Sequence, residues 1–357
     1  METRRVQIKL IITVCLAVLQ LPASGWAQGK KPPSLGELAA YVGADREQRL
    51  YAGAKAEGKV VWYTSLAGSS YKELAKGFET KYPGVKIEPY RATSGDLMTK
   101  LVAEAEARHV LADTIETTLP VLRYLRENKM ITPYTSPLLS KYPAGAKERA
   151  GGGLFHWAID RETYMGVGYN TSIIPPSAVP KSYADLLRPE LRGKIGFATS
   201  DTGTRTVGSM LKHKGEEFVR KLKAQQVSLH SVSGRAMADM VISGEIGLSP
   251  TIFRDHAIES KSKGAPIDWA PMEVVPTNAG GVSLVAQAPH PHAAVLLADF
   301  LLGPEGQKIL GDLEYGSPFR PVSYKLWYPE SGMSTAQYDE ESTRWEKLLR
   351  EIGRKQP

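Results

Sequence analysis

The chain has 357 residues, 42 % of them apolar, and a formal net charge of +7. That excess charge is modest and spread without a long block of like sign, which argues against a nucleic-acid partner, while a mildly positive field favours anionic solutes. Cys15 is the single cysteine and sits in the first apolar run, so no disulfide, thiolate nucleophile or cysteine-based metal site is expected in the rest of the chain.

Arg4 and Arg5 precede a nearly uncharged stretch over residues 10–21, which ends in the small residues Ala23, Ser24, Gly25 and Ala27. A positive start, an apolar middle and small residues before a break form the pattern of a secretory signal peptide, with cleavage expected after Ala27. The run is too short for the ~20 apolar residues that span a bilayer. Cleavage would remove Arg4, Arg5, Lys9 and Glu2, leaving a net charge of +5. About 330 residues remain, more than a single core usually holds, so two lobes are expected.

After a proline-containing leader, Ser34 to Glu37 has capping-box spacing, and residues 45–48 repeat it before a second short helix. Residues 59–63 read as a first strand, 85–90 as a second and 113–116 as a third, with helical periodicity from Tyr71 to Phe78 and over 97–107. The glycine run 151–153 breaks this alternation, and 166–170 follows as an extended segment. Next come a helix at 182–187, a strand at 194–198, helices at 204–211, 216–225 and 235–243, and a strand at 246–249. A strand at 282–286 and helices near 292–302, 304–310 and 339–352 finish the chain. Strands alternating with helices imply α/β lobes with sheets covered on both faces.

The ordered residues also carry a family likeness. Ala288-Pro289-His290-Pro291-His292-Ala293-Ala294 followed by Phe300-Leu301-Leu302-Gly303-Pro304-Glu305-Gly306-Gln307 resembles the hallmark segment of extracellular solute-binding proteins of the ferric-iron and phosphonate type. Residues 58–65, Tyr169-Asn170-Thr171, 183–187 with 193–195, and Ser243-Gly244-Glu245 match in family order, from about Gly58 to Val322. The resemblance implies a type II periplasmic-binding-protein fold: two α/β lobes joined by two crossover strands, with a ligand cleft between them. On that map residues 1–27 are the signal peptide, 28–57 a leader with short helices, 58–163 plus 284–357 lobe one, and 164–283 lobe two. The crossovers would be 164–169 and 280–284. A periplasmic monomer is implied, delivering a small solute to an ABC permease in the inner membrane, with no cofactor.

Open α/β sheets bind ligands beyond the carboxyl ends of their strands, so the residues just after each expected strand are the candidates. In lobe one these are Tyr63, Thr64, Ser65, Thr93, Ser94, Glu116, Thr117 and Thr118. In lobe two they are Asp201, Thr202, Gly203, Thr204, Ser233, Arg235 and Thr251, with Ser200 beside them. The turn from Asp201 to Thr204 reads either as an anion-binding helix start or as an ordinary capped helix. Arg235 opposes its helix dipole, so it either grips an anion in the cleft or lies solvated; Arg91 and Arg161 are weaker candidates of the same kind. Tyr63 and Trp157 line a cleft wall or belong to the core.

The ferric branch of the family holds iron with adjacent tyrosines after the strand that follows the Gly-Glu motif. Here that stretch runs Gly244-Glu245-Ile246-Gly247-Leu248-Ser249-Pro250-Thr251-Ile252-Phe253-Arg254 with no tyrosine, which favours an organic or phosphorus-bearing anion over Fe(III). His290 and His292 are too few for a specific metal site. A secreted hydrolase is the competing class, but no G-x-S-x-G elbow or H-E-x-x-H helix occurs.

Overall fold

A computed structural model describes residues 33–66, 70–320 and 322–353; the leader, its cleavage point and Cys15 lie outside the described residues. The chain begins with helices α1 (Leu35–Ala40) and α2 (Arg46–Glu57), continues through β1 (Lys59–Thr64), α3 (Ser70–Lys81), β2 (Lys86–Arg91), α4 (Ser94–Glu106), β3 (Thr114–Thr118), α5 (Leu119–Glu127) and β4 (Ile131–Thr132), and then forms the antiparallel pair β5 (Lys147–Gly151) and β6 (Leu154–Asn170). The Ser34 capping box forms as expected, with Glu37 N donating to Ser34 Oγ and Ser34 N to the Glu37 carboxylate. Asp45 makes no such cap: its carboxylate accepts from Tyr41 instead. Strands β2, β1 and β3 are parallel neighbours, as alternation with helices requires.

The second half contributes β7 (Gly196–Ala198), α6 (Asp201–Lys214), α7 (Glu216–Lys221), β8 (Ser228–His230), α8 (Gly234–Ser243), β9 (Leu248–Phe253), α9 (Arg254–Ser262), β10 (Ile267–Ala270) and β11 (Val275–Val285). The chain ends with α10 (Pro291–Leu302), α11 (Pro304–Asp312), β12 (Leu326–Trp327) and α12 (Thr335–Ile352). No helix among the described residues is long and apolar enough to cross a membrane.

Two bodies of apolar packing result. One gathers Trp62, Phe78, Leu97, Ile115, Trp157, Val282 and the nearly all-apolar α10. The other is built on Val167, Tyr183, Phe197, Val207, Met210 and Leu248, with a satellite around Met237 and Ile252. Strand β6 serves both: its first half pairs with β5 and its second half with β9 and β10. Strand β11 runs antiparallel beside it, Thr277 opposite Tyr164 and Gly280 opposite Arg161. The changeover lies near Glu162–Met165 on β6 and Val275–Asn278 on β11, whereas residues 280–284, expected as the second crossover, already pair with β3 in the first body.

A third passage follows. Gly316 exchanges both backbone hydrogen bonds with Glu162, Leu326 and Trp327 pair with Val275 and Pro276, and α12 then packs on α6. Leu348, Leu349 and Ile352 of α12 are buried in the second core, although a split by sequence order puts residues 284–357 with the first. The sequence marks a helix over 339–352, but helical periodicity does not name the surface that covers it. Leu349→Ala should therefore cost about 2–5 kcal/mol in a urea titration; a loss under about 0.5 kcal/mol would contradict the placement of α12 in that core.

Candidate ligand-binding cleft

Between the two bodies lies a cleft of about 310 Å³, at the small end of ligand pockets. It is reached by the starts of α4, α5, α6 and α9, each following directly or within a few residues on β2, β3, β7 and β9. Ser65, Arg91, Thr93, Ser94 and Thr118 line it from the first body, and Ser200, Asp201, Thr202, Arg205, Phe253, Asp255 and His256 from the second. Arg161, Thr163 and Asn278 of the crossing strands and Tyr315 complete the lining. Hydroxyls and helix starts facing one gap suit an anion.

Arg161 is the pivot of the floor. Its side chain is 5 % exposed, and its Nε donates to Glu116 Oε1 at 2.8 Å while Nη2 donates to Ser65 Oγ at 3.1 Å. Glu116 is wholly buried and also accepts from Thr64 Oγ1 at 2.7 Å and from the Ser65 amide at 3.2 Å. Burial works against the guanidinium charge, but Glu116 and Asp160 outweigh it and raise the Arg161 pKa. Gly280 sits opposite: a Cβ there would come within 2.6 Å of Glu116 Oε1 and 2.7 Å of Arg161 Cζ, so only glycine leaves room for the pair. A register shift on β6 between Arg161 and Ile159 leaves Asp160 as the unpaired residue of a bulge. Its buried carboxylate finds no hydrogen-bond partner, and burial, followed by the nearby Glu116, pushes its pKa well above the ordinary carboxylate range.

A second guanidinium is arranged on the same plan. Arg205 on α6 is 4 % exposed, donates from Nη1 to Glu330 Oε2 at 3.3 Å, and lies 5.8 Å from the Tyr338 ring centroid. Burial again opposes its charge, and Glu330 together with Tyr338 and Asp201 outweighs it and raises the Arg205 pKa. Glu330 belongs to the third passage, and its carbonyl accepts from Arg123 of α5 at 2.9 Å. Each arginine thus has a buried carboxylate behind it, and a guanidinium carries more donors than these partners consume. On the lobe-two wall, Asp255 Oδ1 and His256 Nδ1 are buried without a hydrogen-bond partner, as is Asn278 Oδ1 on the crossing strand. Burial raises the Asp255 pKa, opposed by His256, Arg161 and Arg254.

The residues expected from sequence divide into two groups. Ser65, Thr93, Ser94, Thr118, Asp201 and Thr202 line the cleft. The others do not, and five of them lie inside strands: Tyr63 and Glu116 already ended expected strands, while β1, β3 and β9 run on past 63, 116 and 249 to take in Thr64, Thr117 and Thr251. Tyr63 and Thr64 are still inside β1, where Tyr63 is 1 % exposed and donates to Glu104. Glu116 and Thr117 are inside β3, and Thr251 is mid-strand in β9, bonded to Ser249. Gly203 packs its Cα against the Ala198 carbonyl, which a Cβ would approach to 1.8 Å, and the Gly203 and Thr204 amides are already spent on Ser200 O. Ser233 simply caps α8, and Arg235, 42 % exposed, pairs with Asp239 and Glu259 away from the cleft. Sequence reasoning missed Arg205, Asp255, His256 and Asn278, and ranked Arg161 too low. The available signal was a charge inside an otherwise buried run: Arg205 among Thr202–Met210, and Arg161 in β6.

The family model of bacterial extracellular solute-binding proteins matches residues 117–332. The phosphoglycerate transport regulatory protein PgtC of Salmonella typhimurium is 26% identical over 281 residues, covering 74% of this chain and 67% of that one. Among solved structures, AfuA from Actinobacillus pleuropneumoniae with fructose-6-phosphate bound aligns at a TM-score of 0.64 with 25% identity, covering 83% of this chain and 99% of that one. Iron-bound HitA from Pseudomonas aeruginosa aligns at 0.63 with 22% identity, covering 83% and 99%.

A carboxyl whose pKa rises on folding gives stability that is complete below the unfolded pKa and is lost as pH climbs toward the folded value. Asp160→Asn removes that loss. The variant should be more stable than the parent near neutral pH, with the gap closing on acidification toward the ordinary aspartate range, as read from melting curves across pH. A gap that widened on acidification would contradict the buried, unpartnered state of Asp160.

Proposed function

The chain belongs to the bacterial extracellular solute-binding proteins and has their type II periplasmic-binding fold, and from that premise we propose that it is the periplasmic binding component of an ABC importer whose cargo is a small organic anion with a phosphoryl or phosphono head. The observation that carries this reading is the pair of buried guanidiniums, Arg161 and Arg205, each neutralised from behind by a carboxylate and each lining the cleft. Planar multi-donor groups fixed in advance suit a tetrahedral oxyanion, because the ordering entropy is spent before the guest arrives. Ser65, Thr93, Ser94, Thr118 and Thr202 add hydroxyls around the same space. Arg161 and Asn278 sit on the crossing strands, so a guest held by them and by residues of both bodies favours the closed arrangement over the open one.

Two alternatives carry less. A ferric cargo calls for several anionic oxygens, yet no group of three or more His, Cys, Asp or Glu among the described residues is disposed to hold a metal. Tyr63 is in the core, and burial pushes the Tyr315 phenol up rather than toward phenolate. A hydrolase would turn the bound ester over; a binder gives stoichiometric heat and no product.

The test is calorimetric titration of the mature protein with glycerol 3-phosphate. Arg205→Gln should weaken binding at least about tenfold, equivalent to 1.4 kcal/mol, whereas Arg235→Ala should change it less than about twofold. Equal losses in both variants, or release of inorganic phosphate, would refute the assignment.

A further inference from the structure

We infer that the far end of the guest is an uncharged, hydroxyl-bearing chain, and that Asp255 and His256 are the residues that select it; this rests on the phosphoryl reading above. Asp255 and His256 open α9, directly after β9 delivers Phe253 to the cleft. Phe253 stacks edge-on against His256 with ring centroids 5.5 Å apart, which fixes the imidazole plane. Asp255 Oδ2 lies 3.7 Å from His256 Nε2, while Asp255 Oδ1 and His256 Nδ1 are left without partners. A buried carboxylate oxygen and a buried imidazole nitrogen with nothing to bond are costly in an empty wall. A guest that supplies both a donor and an acceptor removes the cost.

Charge decides which guest that is. Three arginines and two aspartates line the cleft, and Glu116 and Glu330 already neutralise two of the arginines. A phosphate monoester brings close to two negative charges near neutral pH. A carboxylate at its other end would meet Asp255 and Asp201 on the second body's wall, whereas Arg91, the one lining arginine with no carboxylate partner among the described residues, stands on the first body and donates to Leu66 O. An ammonium would enter a wall where Arg161, Arg254 and His256 already surround Asp255. A hydroxyl adds no charge, donates to Asp255 Oδ1 and accepts from an imidazole N–H. Such a site discriminates by leaving its own polar groups unpaired when the hydroxyl is missing.

The experiment titrates the mature protein with glycerol 3-phosphate, fructose 6-phosphate, propyl phosphate, 3-phosphoglycerate and 2-aminoethylphosphonate. Glycerol 3-phosphate and fructose 6-phosphate should bind at least about tenfold tighter than the other three. Asp255→Asn and His256→Gln should each shrink the ratio of glycerol 3-phosphate to propyl phosphate affinity to under about twofold, with melting curves confirming that both variants fold. Propyl phosphate binding as tightly as glycerol 3-phosphate, a preference for 3-phosphoglycerate or 2-aminoethylphosphonate, or variants that weaken every ligand alike would overturn this inference and leave the phosphoryl reading standing. Failure of all five probes would remove both.

Discussion

A guanidinium that is 95 % hidden from water must be paired, and the pairing of Arg161 with Glu116 organises the centre of this protein. Glu116 is placed by the third strand of the first sheet, Arg161 by the first crossing strand, and the space for both by Gly280 on the second. Desolvating two charges can cost as much as their attraction returns, so such a pair is weak evidence of a device for stability. Asp160, one residue away and without a partner, points the same way: these strands carry charge that the fold alone does not require. On the proposed function, the arrangement is a donor array kept charged and fixed in place until an anion arrives.

The same logic recurs across the cleft, where Arg205 is held by Glu330. The two carboxylates come from distant parts of the chain, one from a sheet strand and one from the passage that leads to the last helix. Glu330 is tied through its carbonyl to Arg123 of the first body and through its carboxylate to Arg205 of the second. Glu162 plays a comparable part among the crossing segments, accepting from Tyr164 at 2.7 Å and from Tyr328 at 2.6 Å. Movement of one body against the other must therefore work through three connected passages, whose polar anchors sit beside the groups that would touch a ligand.

Much of the architecture was legible in the residues. Alternating strand and helix patterns, the Ser34 capping box and the two-lobed organisation follow from periodicity, local chemistry and chain length. Strand ends were less legible, because periodicity marks an element without fixing where its ladder stops. That shift moved Thr64, Thr117 and Thr251 from the cleft into the strands and left Tyr63 and Glu116 deeper inside them, while Ser65 and Thr118, one step further on, line it. The arginines failed for another reason. Arg161 and Arg205 look unremarkable one at a time, and their carboxylate partners are 45 and 125 residues away in sequence. Only tertiary structure brings such pairs together, although an arginine inside a run of buried residues is a sign that a partner must exist.

The most direct measurement is a crystal structure of the mature protein grown with glycerol 3-phosphate. Phosphoryl oxygens should lie within hydrogen-bond distance of both the Arg161 and Arg205 guanidiniums, with Glu116 and Glu330 still behind them. A phosphoryl group bound elsewhere, or a cleft in which either arginine turns away from the ligand, would contradict it.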